Sequence, residues 1–158
     1  MTAPTVNFAA ICTAFAARFI AAAIGTPTGA QAMRASYAKP PKNVPATPAH
    51  LLEVQEGSVV ANPSQWKHEF SIDGVFLLAK RAGDPERVEA QRQLWLPYLL
   101  HATVDQLKIT LGGEVGYSVD KALPSGWEWT EYAIGADNYD AIRVHWTIYV
   151  TETVVLTA

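Results

Sequence analysis

From Ala141 the chain alternates. Ile142, Val144, Trp146, Ile148, Val150 and Val154 share one parity, while Arg143, His145, Thr147, Tyr149, Thr151 and Thr153 share the other. A period of two sustained to Val155 predicts a strand with one buried face and one polar face. Glu152 interrupts the apolar parity, which predicts that the strand leaves the core near its end. A polar face of Arg, His, Tyr and Thr meets either water or a second subunit.

The N-terminal part has a different period. Phe8, Ile11, Cys12, Phe15, Phe19 and Ala22 recur at steps of three and four, the stripe of a helix packed on one side. Asn7 suits the N-cap, and Gly25 followed by Pro27 a stop, so the spacing predicts a helix from Phe8 to Ile24. A signal peptide is the competing interpretation. It lacks a basic residue before the apolar run, and Arg18 interrupts that run, so it also makes a poor membrane span. Further on, Met33 to Ala38 alternates weakly, as a short strand would. Lys39 to Pro48 holds Pro40, Pro41, Pro45 and Pro48, a density that excludes helix and central strand and predicts an extended, projecting segment.

Leu51 to Ala61 reads as strand with a turn at Glu56-Gly57, and Asn62-Pro63 marks another turn. Trp66 to Arg81 is extended, with Ser71 to Gly74 as a candidate hairpin turn. Gly83-Asp84-Pro85-Glu86 opens a helix: Asp84 caps, Pro85 suits the first position, and Glu86 and Glu89 face the positive end. Its stripe is Val88, Gln91 or Arg92, Trp95, Leu96 and Leu99, with a kink or restart at Pro97. Val104 to Leu111 reads as a short helix before the Leu111-Gly112-Gly113 break. Three strands follow: Glu114 to Lys121, Trp127 to Ile134, and the alternating strand at the end. Leu123-Pro124-Ser125-Gly126 and Gly135-Ala136-Asp137-Asn138 form the turns between them. The fold class is α+β: one domain spanning 1–158, with an antiparallel sheet flanked by an N-terminal helix and a central helix.

Composition narrows the function. A net charge of -3 argues against a general nucleic-acid binder. The single Cys12 excludes an intrachain disulfide and a zinc site built on paired cysteines, and its apolar neighbours predict a buried thiol. His50, His68, His101 and His145 match no metal-ligand spacing; a site assembled from distant segments stays open. Ser125 lacks the Gly-x-Ser-x-Gly elbow of a hydrolase, and Gly112-Gly113 with Gly116 lacks the following Lys-Ser/Thr of a phosphate loop. Glu128 and Glu131 fall on opposite parities and do not pair as acid and base. Asp137, Asn138 and Asp140 read as a turn and not as a calcium loop. These residues predict no enzyme, no cofactor and no metal, and point toward assembly. Trp127 and Trp129 share a parity and form either part of the core face or an exposed aromatic strip, since interface centres are enriched in Trp and Tyr. Tyr132, on the other parity, suits an exposed contact.

An Ala-rich helix, a Pro-rich extended segment, a strand pair, a helix running into Leu94-Trp95-Leu96-Pro97-Tyr98-Leu99-Leu100, the Leu111-Gly112-Gly113 break and the Tyr139-Asp140-Ala141-Ile142-Arg143-Val144 strand follow in that order. This order resembles the tail terminator (tail completion) proteins of long non-contractile-tailed bacteriophages, over most of the chain. The resemblance implies a structural virion protein that forms a hexameric ring on the head-proximal end of the tail tube. Such a ring ends tube polymerisation and joins the tail to the head connector or stopper protein, while genomic DNA passes through it without being gripped. It implies assembly in the host cytoplasm, residence in the virion neck, and no membrane partner. The resemblance supplies no residue-level motif. From the residues themselves, Lys39, Pro40, Pro41, Lys42, Tyr132, Tyr139, Arg143, His145 and Tyr149 are the candidates for subunit or partner contact. Deleting the stiff 39–48 segment is expected to spare folding and impair assembly. The alternatives are another neck or tail subunit, a stopper or tube protein, and a small-molecule binding module.

Overall fold

A computed structural model describes residues 6–20, 24–81, 84–101 and 116–154. Its elements in chain order are α1 (Phe8–Ala17), β1 (Ala35–Tyr37), β2 (Ala49–Ala61), β3 (Gln65–Lys80), α2 (Pro85–Leu100), β4 (Tyr117–Ile134) and β5 (Asp137–Thr153). The strands form one five-stranded sheet in the order β1-β2-β3-β5-β4. The class is α+β. The sheet is mixed and not purely antiparallel, because β1 runs parallel to β2, whereas every other pairing is antiparallel. Among the described residues no helix is long and apolar enough to cross a membrane.

Alternation along β5 and β3 divides two cores. On one face, Ile142, Val144, Trp146, Ile148 and Val150 of β5 join Phe70, Ile72, Phe76 and Leu78 of β3 under Ile11, Cys12 and Phe15 of α1 and Trp95 and Leu99 of α2. Both helices thus lie on the same face. On the other face Ala49, Leu51, Val75, Leu77, Ile134, Tyr139 and Ala141 make a smaller cluster, sealed by Val44 from the Pro-rich segment. That segment is therefore anchored as well as exposed: Val44 and Pro48 are buried, while Lys39, Pro40 and Lys42 lie open to solvent. Its complete removal would uncover the second core, so a deletion of 39–48 does not separate folding from assembly.

Both helix starts match their sequence signals. Asn7 Oδ1 accepts from the Ala10 N–H at 3.0 Å, and Asp84 Oδ1 accepts from the Arg87 N–H at 3.2 Å, each satisfying a donor the first turn leaves free. The ends differ from expectation. α1 stops at Ala17, with a turn at Arg18 and Phe19 whose N–H groups bond back to Phe15 and Ala16. α2 runs through Pro97 without restarting, and the His101 N–H bonds to the Pro97 carbonyl at 3.0 Å. The expected Val104–Leu111 helix, the Leu111-Gly112-Gly113 break and Glu114 lie outside the described residues.

Three expected turns are absent from the strands that contain them. Ser71 to Gly74 stays within β3, Glu56-Gly57 is a bulge inside β2, and Leu123 to Gly126 is an irregularity inside β4. The physical reason at Gly74 is close approach. A Cβ there would stand 2.8 Å from His50 Nε2 and 3.2 Å from Trp146 Nε1. At Gly57 a Cβ would meet Phe70 Cβ at 2.7 Å, which is the crowding a bulge creates. Pro124 is tolerated because β4 lies at the sheet edge, where a missing N–H interrupts no second ladder. The turns at 62–64 and at Gly135-Ala136 do connect strands, and Gly135 takes φ 61° there.

Glu152 corrects another expectation. It remains on the buried face with 8 % exposure and meets His68 Nε2 at 2.8 Å. The strand does not leave the core; His68, diagonally placed on the adjacent strand β3, helps make the buried carboxylate tolerable.

Candidate functional site

The polar face of β5 is an organised cluster of charge. Cross-strand register aligns Asp73 of β3 with His145, Arg143 of β5 with Glu128 of β4, and Glu53 of β2 with Asp73. Opposed residues on one face of a sheet lie within side-chain reach, so the sequence positions dictate the contacts. Arg143 Nη1 donates to Asp73 Oδ2 at 2.8 Å and lies 3.6 Å from Glu53 Oε2; its Nε is 3.7 Å from Glu128 Oε1. His145 Nδ1 donates to Asp73 Oδ1 at 2.7 Å, and Gln55 Nε2 adds a third bond to Asp73 at 3.3 Å. Asp73 is 7 % exposed. Three donors are what a buried carboxylate needs in place of water.

Electrostatics follows from this arrangement. Burial works against the Arg143 charge, but the hydrogen bond to Asp73 and the charges of Glu53, Asp73 and Glu128 outweigh it, so its pKa lies above the ordinary value. Burial raises the Tyr132 phenol, reinforced by a hydrogen bond to Glu53 and the charge of that carboxylate, with Arg143 opposing. Three carboxylates face one guanidinium and one imidazole. The cluster carries excess negative charge held by rigid strands.

Its geometry is that of linked ion pairs. Asp73 orients His145 as a triad aspartate would, yet His145 Nε2 faces Glu128 Oε1 at 3.9 Å. Ser125 Oγ donates to the His145 backbone carbonyl at 3.2 Å instead of to the ring, so the nucleophile–base bond of a triad is not made. Among the described residues no group of three or more His, Cys, Asp or Glu is placed to hold a metal ion. His50 stacks on Phe19 with centroids 3.8 Å apart and meets Ser36 Oγ at 3.2 Å. Cys12 is buried, and burial raises its thiol pKa. A cleft of about 340 Å³ between α2 and the segment before β2 is lined by Gln31, Pro48, Leu78, Arg87 and Trp95; Asp84, also at its wall, already caps the helix.

The expected contact residues fall into three groups. Arg143 and His145 belong to the cluster, and Tyr132 lies beside it, half-buried, with the Arg143 guanidinium 5.9 Å from its ring centre. Tyr149 is half-buried under Lys121, whose Nζ lies 4.5 Å from the ring centre. Lys39, Pro40 and Lys42 are exposed on the opposite edge, with Pro41 half-buried. Tyr139 is a correction: at 1 % exposure it fills the second core and offers no surface, because it shares the parity of Ala141. Trp127 and Trp129 divide. Trp129 packs partly against the helix-side core, with Arg92 5.6 Å from its ring centre, while Trp127 is 47 % exposed at the rim. Sequence reasoning missed Asp73 and Glu53. The available signal was Asp73 itself, a lone carboxylate inside the apolar run Phe70 to Leu78, assigned instead to a turn.

No family model matches the chain, and no curated protein is similar to it.

Proposed function

We propose that the protein is a ring-forming structural subunit that terminates the tail tube of a long non-contractile-tailed bacteriophage. In this reading the ring caps the head-proximal end of the tube, stops its growth and joins the tail to the head connector or stopper protein, with genomic DNA passing through. The tube protein and the connector are its partners, and the virion neck is its location after assembly in the host cytoplasm. The observation that carries the reading is a sheet closed by helices on one face and open at both edges. β4 pairs only with β5, and β2 pairs with β1 only at Ala49–Leu51, among the described residues. Open edges invite another chain, and a subunit with two different edges can assemble head to tail, into a ring where the rotation between copies closes. The order of features shared with tail terminators supplies the rest.

The direct test is to add the purified protein to polymerising tube subunits and measure tube length. Termination shortens the tubes in proportion to the protein added. A length distribution that does not respond would exclude the terminator role, and incorporation along the tube would favour a tube subunit.

A further inference from the structure

The two edges of the sheet carry opposite charge. Residues 31–48, around β1, hold Arg34, Lys39 and Lys42 and no carboxylate. All three cations are exposed, and none forms an ion pair among the described residues. At the far edge, residues 117–140 hold Asp120, Glu128, Glu131, Asp137 and Asp140 against Lys121 alone. Lys80 and Arg81 offset Asp137 and Glu131; Arg143 meets Glu128 but shares its single charge with Asp73 and Glu53, and the edge stays acidic on balance. The two patches are also level. One cross-strand row runs Tyr37, Leu51, Val75, Arg143, Glu128 through all five strands. It starts two residues before Lys39 and ends on Glu128.

We infer that the basic β1 edge of one copy docks on the acidic β4 edge of the next. The occupant of each edge is a second copy of this chain. Because the patches lie at opposite ends of one row, each copy leaves a free basic edge on one side and a free acidic edge on the other. The contact is thus heterologous and repeats around a ring. In one chain β1 and β4 run antiparallel, since one parallel and three antiparallel steps separate them. Placed side by side in successive copies they keep that sense. Trp127, 47 % exposed at the same edge, lies beside Trp129 with ring centres 4.8 Å apart on the face away from Glu128, and supplies an apolar anchor there. Complementary charge sets the register and the partner. The inference rests on the ring reading for the shape of the assembly, but not for the contact itself.

The test uses two reversed variants, Lys39→Glu/Lys42→Glu and Glu128→Lys/Glu131→Lys, followed by sedimentation and native mass spectrometry. Wild-type protein is expected to self-associate at low salt and to dissociate as salt rises. Each variant alone should associate at least about tenfold more weakly. A mixture of the two should associate again, because one now has two acidic edges and the other two basic ones. Thermal unfolding checks that each variant folds; where one does not, Lys39→Gln/Lys42→Gln or Glu128→Gln/Glu131→Gln replaces it, with weaker association expected in the same direction. A wild-type chain that stays monomeric at all concentrations, or folded variants whose mixture does not recover, would overturn the inference. Charge-dependent association by a protein that leaves tail tubes bare would retain the edge contact and remove the terminator role. Equal capping of tubes by wild type and both variants would do the reverse.

Discussion

Gly74 and His50 show how one residue's chemistry constrains another's. Gly74 sits mid-strand where the His50 ring and the Trp146 indole converge, and His50 is clamped on its other side by Phe19. A methyl at that point has nowhere to go. Gly74→Ala should lower stability by about 1–3 kcal/mol, the usual range for overpacking a core, measured by urea unfolding; an unchanged midpoint would contradict the packing described. His50 is fully buried, and burial lowers its pKa from the ordinary 6.5 to about 3. The folded state therefore binds fewer protons than the unfolded one between those values. The stability gained from keeping the ring neutral is complete above pH 6.5 and is lost progressively as pH falls toward 3, at about 1.4 kcal/mol per pH unit for one proton. His50→Gln should flatten that part of the pH profile, and a slope unchanged by the substitution would assign the acid sensitivity elsewhere. The same two residues mark what the sequence leaves illegible. A glycine after an aspartate reads as a turn, because nothing local reveals that a histidine far along the chain needs the space. Glu152 reads as an exit from the core for the same reason, since its partner His68 lies on another strand.

At the scale of elements, period and capping are local and were legible, whereas interruptions were not. Asn7 and Asp84 start their helices as their side chains require, and the alternation of β5 persists to Thr153. Glycine and proline within β2, β3 and β4 suggested turns, yet cross-strand pairing carries each strand past them, through irregularities in β2 and β4 and in unbroken register at Gly74 of β3. Pairing is a tertiary effect that a single-segment reading does not contain. Pro97 behaves alike: it lies exposed within α2, and the packing of Trp95 and Leu99 holds the helix on course. Since the ring supplies no N–H and has poor helix propensity, Pro97→Ala should stabilise the protein by about 1–3 kcal/mol. Differential scanning calorimetry would register this as a higher Tm; a lower Tm would mean that the ring makes a contact worth more than the helix gains. The Pro-rich segment was half legible. Its extended, exposed character follows from composition, but the anchoring role of Val44 depends on a second core that only the folded sheet creates.

For the whole molecule, the sheet's asymmetry carries the functional account. Helices cover one face, a rigid charge cluster around Asp73 organises the other, and two unlike edges remain. The cluster was partly legible, since Arg143 and His145 stand on the polar parity of β5, while Asp73 and Glu53 come from strands whose register no local pattern reveals. The opposite charges of the two edges were present in the sequence all along. They acquire meaning only when the topology puts residues 31–48 and 117–140 at opposite ends of one sheet. A subunit built this way is suited to form a closed ring, and a ring at a tube end is the proposed product. Electron microscopy of purified tail tubes mixed with the protein tests that claim most directly. The account predicts a ring of density at one end of each tube, with growth arrested there. Tubes left bare, or decorated along their length, would contradict it.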